Sequence, residues 1–346
     1  MRYPEGSGST PKDRARRSDR VHAPGPAWQA AGVRYADWGE RSPRWAGIRS
    51  QAIDVAGTKV HYLSAGKDQG GPTHLLIHPM AGSASMWMDT IAELSAHGPV
   101  VAPDLPGSVF GHTGSPHPRA SKAELSARFL RAFTGRMGLK ATVTHGWSMG
   151  GLVAVHFATS SPDRVDRLVL ACPALPGPIP PDEATFWRVL GRPLLVVGPA
   201  LLRGVLRVAG RRMIDFKLRV YADPGAWSGG VVGDDLERLS PEMLALLSDE
   251  LRATDPRRLG DAVAALASVV SSLYVDRDAV HRMIEQLGMP TLLLAGAQDK
   301  LVTTATVDDV AARRPDWAHR TLPSAGHLLP LSETRDYGAT VADWLD

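Results

Sequence analysis

From residue 53 onward, short apolar runs alternate with stretches of helical spacing, and this alternation restricts the chain to a small set of folds. "IDVAGTKVHYL" reads as two short strands about a turn at Gly57, "THLLIHP" as a buried strand, and "SMWMDTIAEL" as a helix opened by Ser85. "GPVVAPDLPG" is another strand. "SKAELSARFLRAFTGRMGL" is a helix with Ser121 and Glu124 spaced as a capping box and Leu125, Phe129 and Phe133 on one face. "ATVTHGWS" and "RLVLACPAL" are strands on either side of a helix in "MGGLVAVHFATSS". Continuous apolar β-runs joined by helices predict an α/β architecture, a mostly parallel sheet covered on both faces. The pattern then breaks. More than a hundred residues of helical spacing separate "RLVLACPAL" from the next strand, "PTLLLAGAQD". It resumes with a helix near 303–314, a short strand in "AHRTLPSAG" and a closing helix in "TRDYGATVADWL". A helical insertion within the sheet is the economical account.

At 346 residues, with 44% apolar and 22% charged side chains, the chain can bury a large core. Its net charge of +3 matches the excess within residues 1–20, so the body is neutral and nucleic acid is not an expected partner. Residues 1–27, rich in Gly, Pro, Ser and Arg, predict a disordered tail. Residues 28–52 carry Trp28, Trp38 and Trp45 and are expected to pack on the core. The single cysteine, Cys172, reads as a buried thiol in a strand. No unbroken apolar run reaches the roughly 18–20 residues of a membrane span. No apolar signal core opens the chain, and Arg16-Arg17 precedes polar residues, so the expectation is a cytoplasmic protein without a transmembrane segment.

The run "THGWSMGG" carries the chemistry. Ser148 stands where a strand passes directly into a helix, with Gly146 and Gly150 two positions either side, the Gly-x-Ser-x-Gly spacing of a tight strand–turn–helix elbow. A glycine-rich turn with Ser148 as a helix cap is the plainer alternative. A serine hydroxyl is a weak nucleophile that needs a base, and the base needs an orienting carboxylate. Asp299 follows the strand of "TLLLAGAQDKLV" and His327 follows the next, in "LPSAGHLLPLSE". All three arrive at carboxyl ends of strands, the edge where open α/β sheets bind ligands. The backbone N–H groups of Met149 and of Met80, in "LLIHPMAGSASMW", are the expected oxyanion donors. Trp147 and His78 are candidates for the substrate pocket, His78 also for hydrogen-bonding its loop. No metal or cofactor is expected.

Together, "HPMAGSASMW", "VVAPDLPG", "GWSMGG", "AGAQDKLV" and "SAGHLLPLSE" resemble the α/β-hydrolase superfamily across residues 53–346. The resemblance implies eight strands, a triad of Ser148, Asp299 and His327, oxyanion donors at Met80 and Met149, and a helical cap between strands six and seven. The expected domains are a core of residues 53–176 and 287–346 and a cap of residues 177–286. His78-Pro79 departs from the usual His-Gly of the family. The loop "SVFGHTGSPHP" is longer than its counterpart and places His112 and His117 in an expected exposed loop.

A serine nucleophile argues against the haloalkane dehalogenase and epoxide hydrolase branches. It leaves a carboxylic-ester hydrolase as the favoured reading, on a small apolar or acyl-bearing substrate. The alternatives are a carbon–carbon bond hydrolase, a thioesterase or lactonase, a cofactor-free haloperoxidase-like enzyme and a non-catalytic binding member. Within the insertion, residues 188–219 hold eight basic residues and one acid among Leu, Val and Ile. Such a segment can meet a membrane surface peripherally, funnel anionic or acyl substrates through Arg203, Arg207 and Arg211, or simply present solvated arginines.

Overall fold

The computed structural model describes residues 35–346, apart from 67–69, 118 and 228–229. The expected tail over 1–27, and Trp28, lie outside the described residues. A single sheet runs in the order β1-β2-β4-β3-β5-β6-β7-β8. Its strands are β1 (Arg49–Val55), β2 (Thr58–Ala65), β3 (His74–Ile77), β4 (Val100–Pro103), β5 (Thr142–Trp147), β6 (Val165–Ala171), β7 (Thr291–Gly296) and β8 (Ala318–Leu322). β2 runs antiparallel to β1 and β4, and every other pairing is parallel. Every residue of β3, β4, β5 and β7 is buried, which is why these strands read as unbroken apolar runs. β1 begins at Arg49, ahead of the expected start at 53. Its residues Arg49–Asp54 are exposed or half-buried, so this edge strand lacks an apolar signal at its start.

Helices cover the sheet on both sides, α2 (Ala123–Met137) packing on α3 (Met149–Ser160) and α1 (Met88–Leu94) on α11 (Thr334–Leu345). Two local expectations fail for identifiable reasons. Ser85 lies inside a 3₁₀ turn, Ala84–Trp87, and α1 starts only at Met88. Ser121 does not cap α2, because its hydroxyl donates to the Asp261 carbonyl at 2.9 Å, a partner from the insertion. The buried face of α2 is Ala123, Ala127, Leu130 and Phe133, with Leu125 and Phe129 half-buried at its border.

Between β6 and β7 lie α4 (Pro181–Ala222), α5 (Gly233–Leu236), α6 (Pro241–Ala253), α7 (Ala262–Val270) and α8 (Arg277–Gln286). The chain closes with α9 (Thr304–Arg313), α10 (Leu329–Ser332) and α11. α4 spans 42 residues. Arginines interrupt its apolar run, so a test for consecutive apolar residues passes over it. By length and composition, nonetheless, α4 and the segment Arg258–Val275 are each long and apolar enough to cross a membrane.

The N-terminal segment packs through its tryptophans. Trp38 and Trp45 are buried and meet edge to face, and the Trp45 indole donates to Asp89 at 2.6 Å. Arg44 pairs with the same carboxylate at 3.0 Å, and Arg41 reaches Asp249 of α6 at 2.7 Å, so this segment touches both core and insertion. Removing the indole donor leaves the buried Asp89 Oδ1 with the half-exposed Arg44 guanidinium alone. Trp45→Phe is expected to lower stability by about 1–3 kcal/mol, read from chemical denaturation.

Candidate active site

β5 ends at Trp147 and α3 begins at Met149, leaving Ser148 alone to make the turn, at φ 55° and ψ −120°. An L-residue resists this geometry by roughly 1–3 kcal/mol, so neighbours must hold it. The Ser148 N–H donates to the Ala171 carbonyl at 3.0 Å, and its own carbonyl accepts from Gly151 and Ala174, both at 2.9 Å. The flanking glycines are required by close approach. A Cβ at Gly150 would collide with the carbonyls of Ile77 and His78, and one at Gly146 with the Gly150 carbonyl and the Gly151 Cα.

The serine faces a histidine delivered by the loop after β8. Ser148 Oγ lies 3.0 Å from His327 Nε2, and His327 Nδ1 donates to Asp299 Oδ2 at 2.8 Å. Asp299 comes from the loop after β7. Its other oxygen accepts the N–H groups of Leu301 and Val302 at 2.8 and 2.9 Å. Burial alone would raise the Asp299 carboxyl, but the His327 hydrogen bond and charge and these two N–H donors hold it below the ordinary carboxylate value. A buried, ionised carboxylate fixes the proton on Nδ1 and leaves Nε2 free to accept from the serine.

Ser148 and His327 open onto a cavity of about 400 Å³ that Trp147 and Met80 also line. Met149 is the first residue of α3, so its N–H is one of those the helix leaves unpaired. Trp147 contributes more than a wall: its buried indole donates to the His327 carbonyl at 2.8 Å. His78 takes the second of its two expected roles, hydrogen-bonding its loop. It does not line this cavity, because its ring is turned inward, Nδ1–H donating to the Pro79 carbonyl at 2.9 Å while Nε2 accepts the Leu105 N–H at 3.0 Å. Burial lowers its pKa, in keeping with a neutral ring that ties the loop after β3 to the loop after β4. His112 is half-buried rather than exposed, its ring edge-on to His61, whereas His117 is exposed. Of the basic residues of α4, only Lys217 lines the cavity, and Arg203, Arg207 and Arg211 lie outside its lining.

Three further carboxylates, none of them singled out by the sequence, support the site. Asp235, on α5, accepts the N–H groups of Gly326 at 3.0 Å and Leu328 at 2.9 Å, bracketing His327 from both sides. A side chain at Gly326 could not coexist with this clamp, since a Cβ there would lie 2.5 Å from both Asp235 oxygens. Asp104, fully buried, accepts the Ala84 and His112 N–H groups at 2.7 and 2.6 Å and His61 Nδ1 at 2.7 Å. Although burial opposes ionisation, His61 and the other nearby histidines hold the Asp104 carboxyl far below its usual range. Glu250, on α6, lines the cavity and accepts from Ser83 at 3.2 Å. Burial, with the Asp104 charge adding to it against the hydrogen bonds of Ser85 and Ser83, pushes Glu250 up to about 8.

The model of the alpha/beta hydrolase family matches residues 75–343. The pimeloyl-[acyl-carrier protein] methyl ester esterase of Vibrio parahaemolyticus is 26% identical over 289 residues, covering 83% of this chain and 98% of that protein. The dihydrolipoyllysine-residue acetyltransferase component of the acetoin cleaving system of Cupriavidus necator is also 26% identical, over 84% of this chain and 67% of that protein. Among solved structures, the enol-lactonase of Burkholderia xenovorans LB400 superimposes with a TM-score of 0.62 at 22% identity, covering 85% of this chain and 99% of that one.

The raised Glu250 makes a pH prediction. A carboxyl whose folded pKa exceeds its unfolded value favours folding fully below the unfolded value of 4.5, and that contribution is lost as pH rises toward about 8. Glu250→Gln removes the titration. Its stability relative to the wild type is therefore expected to improve by on the order of a few kcal/mol between pH 5 and pH 8, measured by denaturation at each pH.

Proposed function

The chain belongs to the alpha/beta hydrolase family, and on that premise we propose that it hydrolyses carboxylic esters through an acyl-enzyme on Ser148. The observation that carries the reading is the hydrogen-bonded line from Ser148 Oγ through His327 to Asp299, opening onto a largely apolar cavity. Ser148 Oγ attacks the ester carbonyl carbon while His327 Nε2 takes its proton. The carbonyl oxygen becomes an oxyanion held by the N–H groups of Met80 and Met149. Collapse breaks the bond to the alcohol, which leaves with the proton from His327. Water then attacks the acyl-enzyme by the same route, releasing the acid and restoring Ser148. Asp299 stays ionised and stabilises the imidazolium that forms at each transfer.

The lining supports an apolar chain on the substrate. Met86, Val220, Leu247 and Leu331 wall the cavity at Ser148, and Met80, Ala81, Phe110, Lys217 and Leu251 border both it and a second cavity of about 280 Å³. That second space lies against Leu202, Leu206 and Ile214. A neighbouring apolar volume of this kind rewards a longer acyl or alkyl chain by roughly 0.8 kcal/mol per buried methylene.

The test is hydrolysis of p-nitrophenyl esters of graded chain length. The wild type is expected to turn them over, with kcat/KM rising from acetate to octanoate, and Ser148→Ala to lose roughly 10³-fold or more. Turnover unchanged in Ser148→Ala would overturn the reading. In the same assay Asp235→Ala, which frees the backbone on both sides of His327, is expected to lower kcat by about tenfold or more with little change in KM.

A further inference from the structure

α4 turns an apolar stripe to solvent. Leu190, Leu194, Val197, Leu201, Val205 and Val208 follow one another at helical spacings of three and four, and all are exposed, Leu201 at 69% and Val208 at 87%. At 1.5 Å per residue the stripe runs for roughly 27 Å. The chain carries no acid from residue 184 to residue 214, but six arginines: Arg188, Arg192, Arg203, Arg207, Arg211 and Arg212. The ion pairs of Arg192 with Asp276 at 3.5 Å and of Arg211 with Asp215 at 3.3 Å are solvent-exposed and hold these heads only weakly. A continuous exposed apolar patch of this size on a globular protein marks an interaction surface.

We propose that this face of α4 docks the protein on the surface of a bilayer with anionic headgroups, the aliphatic stripe entering the interface and the arginines meeting the lipid phosphates. Charge complementarity selects this occupant. A second copy seated on the stripe would oppose two sets of six arginines, and such repulsion disfavours a self-interface. The helix lies on the membrane and does not cross it, because it is tied to protein at both ends of the stripe. Trp187 stacks on Tyr274 at 4.8 Å, Gly191 closes on Val275, Gly210 on Pro256 and Leu259, and Ile214 is 2% exposed. The same helix lines the cavity at Ser148 through Phe216, Lys217, Val220 and Tyr221. A docked α4 therefore brings that cavity to a surface rich in apolar molecules. The long arginine stems lie along the apolar surface while their heads reach the phosphates.

Flotation of the full chain at low ionic strength tests this, using vesicles of phosphatidylcholine alone or mixed equally with phosphatidylglycerol. The wild type is expected to float with the mixed vesicles and to bind phosphatidylcholine roughly tenfold or more weakly. Arg192→Gln/Arg207→Gln/Arg211→Gln is expected to fall to that weaker level. Leu201→Glu/Val208→Glu is expected to stay soluble with both vesicles while keeping its thermal midpoint, since these side chains face solvent. Absence of the wild type from the floated mixed vesicles, or flotation retained by the double glutamate variant, would overturn the proposal. So would a dimer in light scattering that the same variant dissociates.

Discussion

The site rests on a backbone turn that an L-residue resists. Ser148 holds φ 55° and ψ −120° because three hydrogen bonds to its N–H and carbonyl fix it and two glycines let the neighbouring chain close in. That one strained residue lifts a hydroxyl out of the end of β5 toward the ring of His327. Replace either glycine and the carbonyls of Ile77 or Gly150 must move, carrying with them the loop that holds Met80 or the first turn of α3. Geometry at the serine is thus inseparable from geometry at both expected oxyanion donors.

The opposite partner is held as tightly, but from a different part of the chain. His327 sits on a loop whose backbone is grasped by the Trp147 indole, by the Asp235 carboxylate and by the thiol of Cys172, which donates to the Gly326 carbonyl at 3.6 Å. Asp235 belongs to the insertion. The insertion is therefore part of the positioning apparatus as well as a wall of the cavity. Arg238, which donates to the Ser324 carbonyl and to Glu333 at 3.0 Å, extends the same attachment. Motion of the insertion relative to the sheet would be felt at the imidazole through these bonds.

Ser148 and Asp299 were legible because each follows a buried apolar strand, and His327 because it follows the next, short and half-exposed strand, with all three strand ends on one edge of the sheet. The parallel character of the sheet and the helical insertion follow from the same alternation, since a buried parallel strand can hardly avoid an apolar run, whereas the count of eight came with the family resemblance and the order of the strands carried no sequence signal. What escaped reading depends on distant partners. Ser121 has the spacing of a cap, but its hydroxyl goes to Asp261, 140 positions away. His78 was legible as a residue that bonds its loop, but not its partner Leu105, 27 positions away, which keeps the ring out of the cavity. Asp235 and Glu250 come from helices whose spacing says nothing about where their carboxylates point. The mixture of Leu, Val and Arg in α4 was visible, but which side faces solvent is decided only by its packing on Tyr274, Val275 and Leu259.

At the centre of this account is a single assignment, that Ser148 Oγ is a nucleophile activated by His327. Reaction of the native protein with a fluorophosphonate, followed by mass mapping of its peptides, addresses that assignment before any natural substrate is known. The account predicts one stoichiometric adduct, on the peptide bearing Ser148, formed roughly 10²-fold or more slowly in His327→Gln. A folded protein whose Ser148 stays unmodified, or is labelled as fast without His327, would contradict it.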